Sequence, residues 1–395
     1  MIGLVGLAHG ISHFSQLLLA PLFPWLKDAM GVGYAELGFL MTIFFVVSCI
    51  AQTASGFWVD RFGPRPVLYA GLALIGVAAL GFAASPNYGM LALWSVVAGV
   101  GNGVFHPVDY TLLNRKVSQP RLGHAYSTHG ISGSLGWALA PALLVPLTLA
   151  YSWRFALVCA AALVFVVLAV LVLRRDDLRL PGGAAVEPGT AAAAREGAFA
   201  FLRIPAVWMC FGFFFFYAGA LSVVQTFAPE AARQLHGVPL QLVAVCLTTY
   251  MVAAAGGMVV GGFLAKEAER CERIVGAAFG AAASVALLIG FGTVPAWLVP
   301  ALFGAMGFVA GIAGPSRDLI VKRAAPDNAS GRVYGVVYSG LDIGQALTPL
   351  LIGRLMDLHA YASVWLALAL LQAVLIATAF SVRRVRRTVA SPTPA

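Results

Sequence analysis

The chain has 395 residues, of which 60% are hydrophobic and only 10% charged, and it carries a net charge of +9. Soluble domains carry about 25% charged residues, so a surface covered by water throughout is excluded. The basic excess falls between apolar stretches, where it points to membrane topology and not to nucleic acid.

Apolar stretches of about 20 residues, the length that crosses a bilayer as a helix, recur along the whole sequence. In lipid the backbone must satisfy its own hydrogen bonds, which favours helices. Spans are predicted at 4–26, 35–59, 66–84, 88–113, 122–147, 152–173, 204–229, 239–265, 273–292, 295–321, 328–354 and 360–381. The predicted fold is therefore an all-α membrane protein of twelve transmembrane helices, arranged as two pseudo-symmetric six-helix bundles. No cleavable signal peptide is expected, since the first span begins almost at Met1. Cys49, Cys159, Cys210 and Cys246 fall inside spans, which argues against a disulfide framework.

Span one carries His9 and His13, four residues apart and on one helix face. Span four carries His106 and Asp109, neighbours at a spacing of three. Span five holds His124, His129 and the glycines Gly130, Gly133 and Gly136, which suit close helix packing. Residues 174–203 open with Arg174, Arg175, Asp176 and Asp177 and continue Pro/Gly/Ala-rich. They read as a linker between an N-terminal bundle at 1–173 and a C-terminal bundle at 204–382, with a tail at 383–395. Span seven bears the aromatic run Phe213–Tyr217 and then Gln225; span ten bears Arg317 and Asp318, and span eleven Asp342. Ionisable groups inside spans are expensive in lipid and usually face a cavity.

Alternate connections hold the basic residues: Arg61 and Arg65, Arg115, Lys116 and Arg121, the linker arginines, Lys266, Arg270 and Arg273, Lys322, Arg323 and Arg332, and Arg383 to Arg387 in the tail. The positive-inside rule then places both termini and the linker in the cytoplasm.

The two parts of the chain repeat. A shift of 208 residues pairs Pro107 with Pro315, Arg115 with Arg323, Gly123 with Gly331, Tyr126 with Tyr334, Gly136 with Gly344, Ala138 with Ala346, Leu139 with Leu347 and Pro141 with Pro349. A six-plus-six parallel repeat is the arrangement of transporters with a midplane site. The same shift carries Asp109 onto Arg317, so opposite charges occupy equivalent positions, each about 8–9 Å inside the cytoplasmic boundary at about 1.5 Å per residue. This predicts a gate pair, Asp109 with Arg317, that forms when the cytoplasmic side closes.

Between spans two and three lies Gly56-Phe-Trp-Val-Asp60-Arg61-Phe-Gly63-Pro64-Arg65. It resembles the loop signature of the major facilitator superfamily, and that likeness covers nearly the whole chain. The resemblance implies a close helix contact at Gly56 and a carboxylate anchor at Asp60, facing a helix N-terminus and an arginine such as Arg115. The second copy, Gly262 to Arg270, lacks the Asp. Gly101-Asn-Gly-Val-Phe-His106-Pro107 and the Ser12-His13 pair resemble the fosmidomycin-resistance branch, which implies export of a drug against protons. Span one departs from that branch at Ser15-Gln16. The superfamily resemblance also implies that spans one, four, seven and ten line the central cavity.

The candidate substrate and proton site is thus His9, His13, His106, Asp109, His129, Tyr217, Gln225, Arg317 and Asp342. Three roles stand open for each histidine: proton or substrate contact, transition-metal ligand, or a hydrogen-bonded packing group. No Cys or Met cluster accompanies them at ligand spacing, so no metal and no cofactor is assigned. There is no phosphate-binding loop for ATP, no nucleophile triad and no carboxylate dyad, so an enzyme is not expected. The expected function is proton-coupled export of a small, possibly anionic, organic compound by a monomer in the bacterial inner membrane. Import of a metabolite, anion or metal chelate, or ligand sensing without transport, are the alternatives.

Overall fold

The computed structural model describes residues 1–180, 205–264, 270–324 and 331–390. Most of the 174–203 linker and the end of the tail lie outside the described residues. So do the loop at 265–269 and the side chain of Asp318.

The fold is all-helical. In the first span, α1 (Ile2–Gln16) stops and α2 (Phe23–Met30) restarts after a 3₁₀ turn. The predicted continuous helix 4–26 is broken because Pro21 has no N–H and its ring clashes with the carbonyl four residues earlier, at Leu17. Next come α3 (Tyr34–Phe62) and α4 (Pro64–Ala84), joined by Gly63 at φ 84°, a left-handed position suited to glycine. The fourth span also divides, into α5 (Tyr88–Asn102) and α6 (Phe105–Lys116). Here Pro107 acts on the carbonyl of Gly103, and a side chain at Gly103 would lie 2.6 Å from the Ser48 carbonyl of α3. Then follow α7 (Gln119–Ala150) and α8 (Trp153–Leu173).

The second part of the chain comprises α9 (Pro205–Thr226), α10 (Ala228–His236), α11 (Leu240–Leu264), α12 (Cys271–Phe291), α13 (Val299–Ala324), α14 (Gly331–Asp357) and α15 (Tyr361–Ala390). Unlike its counterpart, α13 runs unbroken through Pro315. The arginines from Arg383 to Arg387 extend α15 instead of forming a separate tail, as expected of good helix formers with no proline before Pro392. Among the described residues, eleven helical segments are long and apolar enough to cross a membrane, one fewer than predicted. The 27-residue α14 is not among them.

One end of the bundle carries Met1, Val117 and Leu178 in a shared apolar cluster. The opposite, far end carries the α2–α3, α4–α5, α7–α8 and α14–α15 connections. There Arg154 Nη1 donates to the Ala83 and Ser85 carbonyls at 2.6 and 2.9 Å, tying α8 to the end of α4.

The repeat is visible in the packing. A Cβ on Gly136 of α7 would lie 2.1 Å from the Gly10 carbonyl of α1, and one on Gly344 of α14 would lie 2.4 Å from the Phe215 carbonyl of α9. Both glycines permit backbone-to-backbone crossings that a methyl group would forbid. The Ala138 and Ala346 carbonyls, also 208 residues apart, each accept a threonine hydroxyl from the other half of the chain. Thr248 reaches the first at 3.3 Å and Thr42 the second at 2.5 Å.

Candidate functional site

Helices α1, α6 and α7 bring five of the predicted residues together. Asp109 is fully buried, and its Oδ2 lies 3.1 Å from His129 Nε2 and 3.2 Å from His9 Nδ1. The first contact is a hydrogen bond; the second is within ion-pair distance but out of line for one. Asp109 Oδ1 is left without a hydrogen-bond partner. The spacings explain the convergence. His9 and His13 stack along one face of α1, His106 and Asp109 along one face of α6, and Gly133 and Gly136 let α7 approach α1 closely enough for His129 to join them.

The ring planes are specific. His9 stacks on His129 with centroids 3.5 Å apart and planes at 22°. His9 sits tilted to His13 at 4.3 Å and to His106 at 5.4 Å. His13 stacks on Trp137 at 4.1 Å, and Trp137 Nε1 donates to Gln16 Oε1 at 2.9 Å. His106 Nδ1 meets Gln52 Oε1 of α3 at 3.0 Å. A side chain on Gly133 would lie 2.6 Å from His13 Nδ1 and 3.0 Å from His9 Nε2, so only glycine leaves room for the cluster.

The remaining candidates lie apart from this cluster. The Arg317 guanidinium covers the Tyr217 ring at 4.4 Å and the Phe214 ring at 6.0 Å. Gln225 is buried and accepts from Gln345 Nε2 at 3.3 Å, with its own Nε2 unpartnered. Asp342 of α14 lies beside Cys49 of α3. Asp109 is engaged with His9 and His129 here, and Arg317 with Tyr217. His124 is exposed near the start of α7 and outside the cluster. In the loop motif, Asp60 is exposed, Arg61 lies over Phe62 at 5.3 Å, and Arg65 donates to the Arg175 carbonyl at 3.4 Å. Gly56 has open space beside it, so the contact implied for it is not made.

Sequence reasoning missed several polar residues that organise the site. Gln52, Trp137 and Gln345 are uncharged and carried no signal beyond being polar or aromatic in a span. Asn102 links Ser12 (2.8 Å) and Ser48 (2.9 Å), joining α1, α5 and α3. It was legible only as part of the Gly101-Asn-Gly run. At the far end, the Asp357 carboxylate accepts from the Tyr34 and Ala35 backbone N–H groups at 2.7 and 2.9 Å, capping α3 from the other half of the chain. Tyr34 Oη donates to Glu230 at 3.1 Å, and Glu230 forms a two-pronged pair with Arg233, whose pKa it raises further.

These features define a class: a helical membrane protein with internal repetition and a buried polar cluster in its first half. The family model of the Major Facilitator Superfamily matches residues 5–349, and the chain belongs to that superfamily. It is 26% identical over 294 residues to the fosmidomycin resistance protein of Escherichia coli (strain K12), covering 71% of this chain and 69% of that one. It is 24% identical over 353 residues to the Probable nitrate/nitrite transporter NarK2 of Mycobacterium tuberculosis, covering 88% and 86%. Among solved structures, a bacterial homologue of the human lysosomal transporter Spinster, in an inward-facing and occupied conformation, superposes with a TM-score of 0.78. It shares 14% identity over 97% of this chain and 96% of that one. The chain is thus a multi-pass membrane transporter and not an enzyme.

Proposed function

We propose that this protein is a proton-coupled secondary transporter. It exports a small organic compound, preferentially an anion, across a bacterial inner membrane by rocking two six-helix bundles, 1–173 and 204–382, about a central site. The observation that carries alternating access is the asymmetry between the two ends. Along α3, contacts with α14 run from Tyr34 through Thr42 to Cys49, sealing the far end. Toward the end that bears Met1, α7 exposes His124, Ser127 and Thr128, and α6 exposes Asn114. Ionisable groups in spans usually face a cavity, and the exposed His124 with its polar neighbours fits an aqueous opening at this end. With the termini in the cytoplasm, as the basic loops favour, this is the inward-facing state. The exposed Asp60 and uncovered Gly56 fit an open lock at the same end.

Asp342 carries the coupling proton in this reading. It sits on the seam between the two bundles, beside Cys49 of α3, so adding a proton cancels a charge that the seam otherwise has to carry when it opens. Arg317 over Tyr217 supplies cationic charge for an anion. When the cytoplasmic end closes, Asp109 and Arg317 meet as a gate pair. The swap Asp109→Arg with Arg317→Asp then recovers transport lost in either single variant; no recovery removes the gate.

The test uses proteoliposomes with an imposed pH gradient and labelled anions, including fosmidomycin and nitrate. An antiporter accumulates substrate when the interior is acidic, and a symporter when the exterior is. Asp342→Asn is expected to abolish gradient-driven accumulation while retaining counterflow. Accumulation indifferent to the gradient refutes the coupling, and absence of counterflow for the whole panel refutes the substrate class.

A further inference from the structure

We propose that His9, His13 and His106 form a three-nitrogen binding site for one divalent first-row transition-metal ion, backed by Asp109 and Gln52. It stands independently of the direction and coupling of transport.

The three histidines each place one ring nitrogen within 4.8 Å of the others. Their planes are mutually inclined by 52°, 54° and 81°. Inclined rings let in-plane lone pairs converge on one point. Nitrogens on a tetrahedral ion at about 2.0–2.1 Å sit about 3.4 Å apart, so small side-chain rotations close the set. The other set within reach, His9, Asp109 and His129, is less suited. Its two rings stack nearly parallel at 22°, which sends their lone pairs side by side.

The surroundings are those of a ligand shell. A metal-bound histidine typically donates its other N–H to a carboxylate or amide oxygen, which fixes tautomer and orientation. His9 Nδ1 lies 3.2 Å from the Asp109 carboxylate, out of line for a hydrogen bond until the ring rotates, leaving Nε2. His106 turns Nδ1 to Gln52 Oε1 at 3.0 Å, leaving its Nε2. His13 Nδ1 is buried with no hydrogen-bond partner, and Trp137 holds its ring from one side. His9 Nε2 and His13 Nδ1 both border the space that a Gly133 side chain would fill. Imidazole sets favour zinc, copper, nickel and iron over magnesium or calcium. Three protein ligands leave a coordination position for water or for a donor atom of the cargo.

The test is titration of the purified full-length protein, isolated on a tag without histidine and stripped with a chelator. Cobalt(II) is followed by its visible absorption and zinc by calorimetry. Expected is one ion per chain with the intense absorption of low-coordinate cobalt, and a rise in unfolding temperature with zinc. His13→Ala and His106→Ala should weaken binding at least about 100-fold, and Gln52→Ala and Asp109→Asn about 10- to 100-fold. His124→Ala and His236→Ala, which change histidines outside the cluster, should bind as the parent does. No saturable binding to the parent protein overturns the proposal whatever the variants do. So does binding unchanged in His13→Ala and His106→Ala, or lost equally in His124→Ala.

Discussion

The far-end seal depends on a helix cap supplied from the other half of the chain, and removing it should change which state the protein occupies. The first turn of a helix has N–H groups with no intrahelical partner. For α3, two of them are met by Asp357 at 2.7 and 2.9 Å, 322 and 323 residues away in sequence. A side-chain cap contributes about 0.5–2 kcal/mol, and a carboxylate at a helix N-terminus about 0.3–1 kcal/mol. Asp357 is half-buried, so solvent screening favours the lower part of these ranges. A contribution of about 1–2 kcal/mol to the far-closed state corresponds to about a 5- to 30-fold change in a two-state ratio. Asp357→Ala should therefore shift the population by that factor toward the state open at the far end, and Asp357→Asn, which keeps one of the two acceptor oxygens, by less. Gly33→Ala offers a second route to the same effect. Its backbone at φ −86° accepts alanine, but the added Cβ would lie 2.9 and 3.0 Å from the Asp357 carboxylate oxygens and displace them. Spin labels on encoded keto amino acids at Asp28 and Leu358, which leave the five native cysteines in place, report the separation by pulsed dipolar spectroscopy. Unchanged distance distributions in both Asp357→Ala and Gly33→Ala would refute the reasoning.

Further outcomes follow from the same contacts. Gly136→Ala and Gly344→Ala, each driving a methyl group into a neighbouring helix carbonyl, should cost about 1–3 kcal/mol, while Gly130→Ala, with nothing within 4 Å, should be neutral; thermal unfolding in detergent compares the three. Arg154→Ala removes two charge-assisted bonds to the α4 terminus and the cover of Trp153 at 4.2 Å. It should cost about 1.5–3 kcal/mol, recovered only in part by Arg154→Lys, whose single ammonium lacks the planar fork. Glu230→Gln weakens the pair with Arg233 and the bond from Tyr34. It should move the labelled Asp28–Leu358 distance in the same direction as Asp357→Ala, by a smaller amount.

Much of the fold was legible because lipid imposes a simple rule, an apolar helix for each crossing, and because the charges between crossings are unevenly distributed. The breaks in the first and fourth spans were not legible from hydropathy. Leu17 to Leu22 stay apolar through the break. Proline alone did not mark a break, since α13 continues through Pro315 and α7 through Pro141 and Pro146. What differs at Gly103 is the neighbouring α3 backbone pressed against it, a tertiary fact. Within the site, the histidines and Asp109 announced themselves because ionisable groups in spans are rare. Gln52, Asn102, Trp137 and Gln345 did not, because a lone amide or indole in a span is common and acquires meaning only from what it touches. The role of Asp357 was hidden for another reason: it caps a helix more than 320 residues away, and no local pattern records such a partner.

The 208-residue offset was read from sequence identity alone, and the structure gives the chemistry beneath part of it. Gly136 and Gly344 repeat because each lies under a helix carbonyl that leaves no room for a Cβ. Ala138 and Ala346 repeat two residues further on, where their carbonyls accept Thr248 and Thr42 from the opposite half. A small side chain there lets the partner helix come near enough for the hydroxyl to reach the backbone. The two threonines are 206 residues apart, not 208, so the repeat holds in α7 and α14 and slips in α3 and α11, which approach them. Such a slip makes the two seams unequal. The α3–α14 seam has the shorter threonine bond, the Asp357 cap and the Cys49–Asp342 contact, whereas the α11–α7 seam has the longer one. Opening of the far end should therefore begin at α11–α7, with α3–α14 separating last, and Thr42→Val should favour opening more than Thr248→Val.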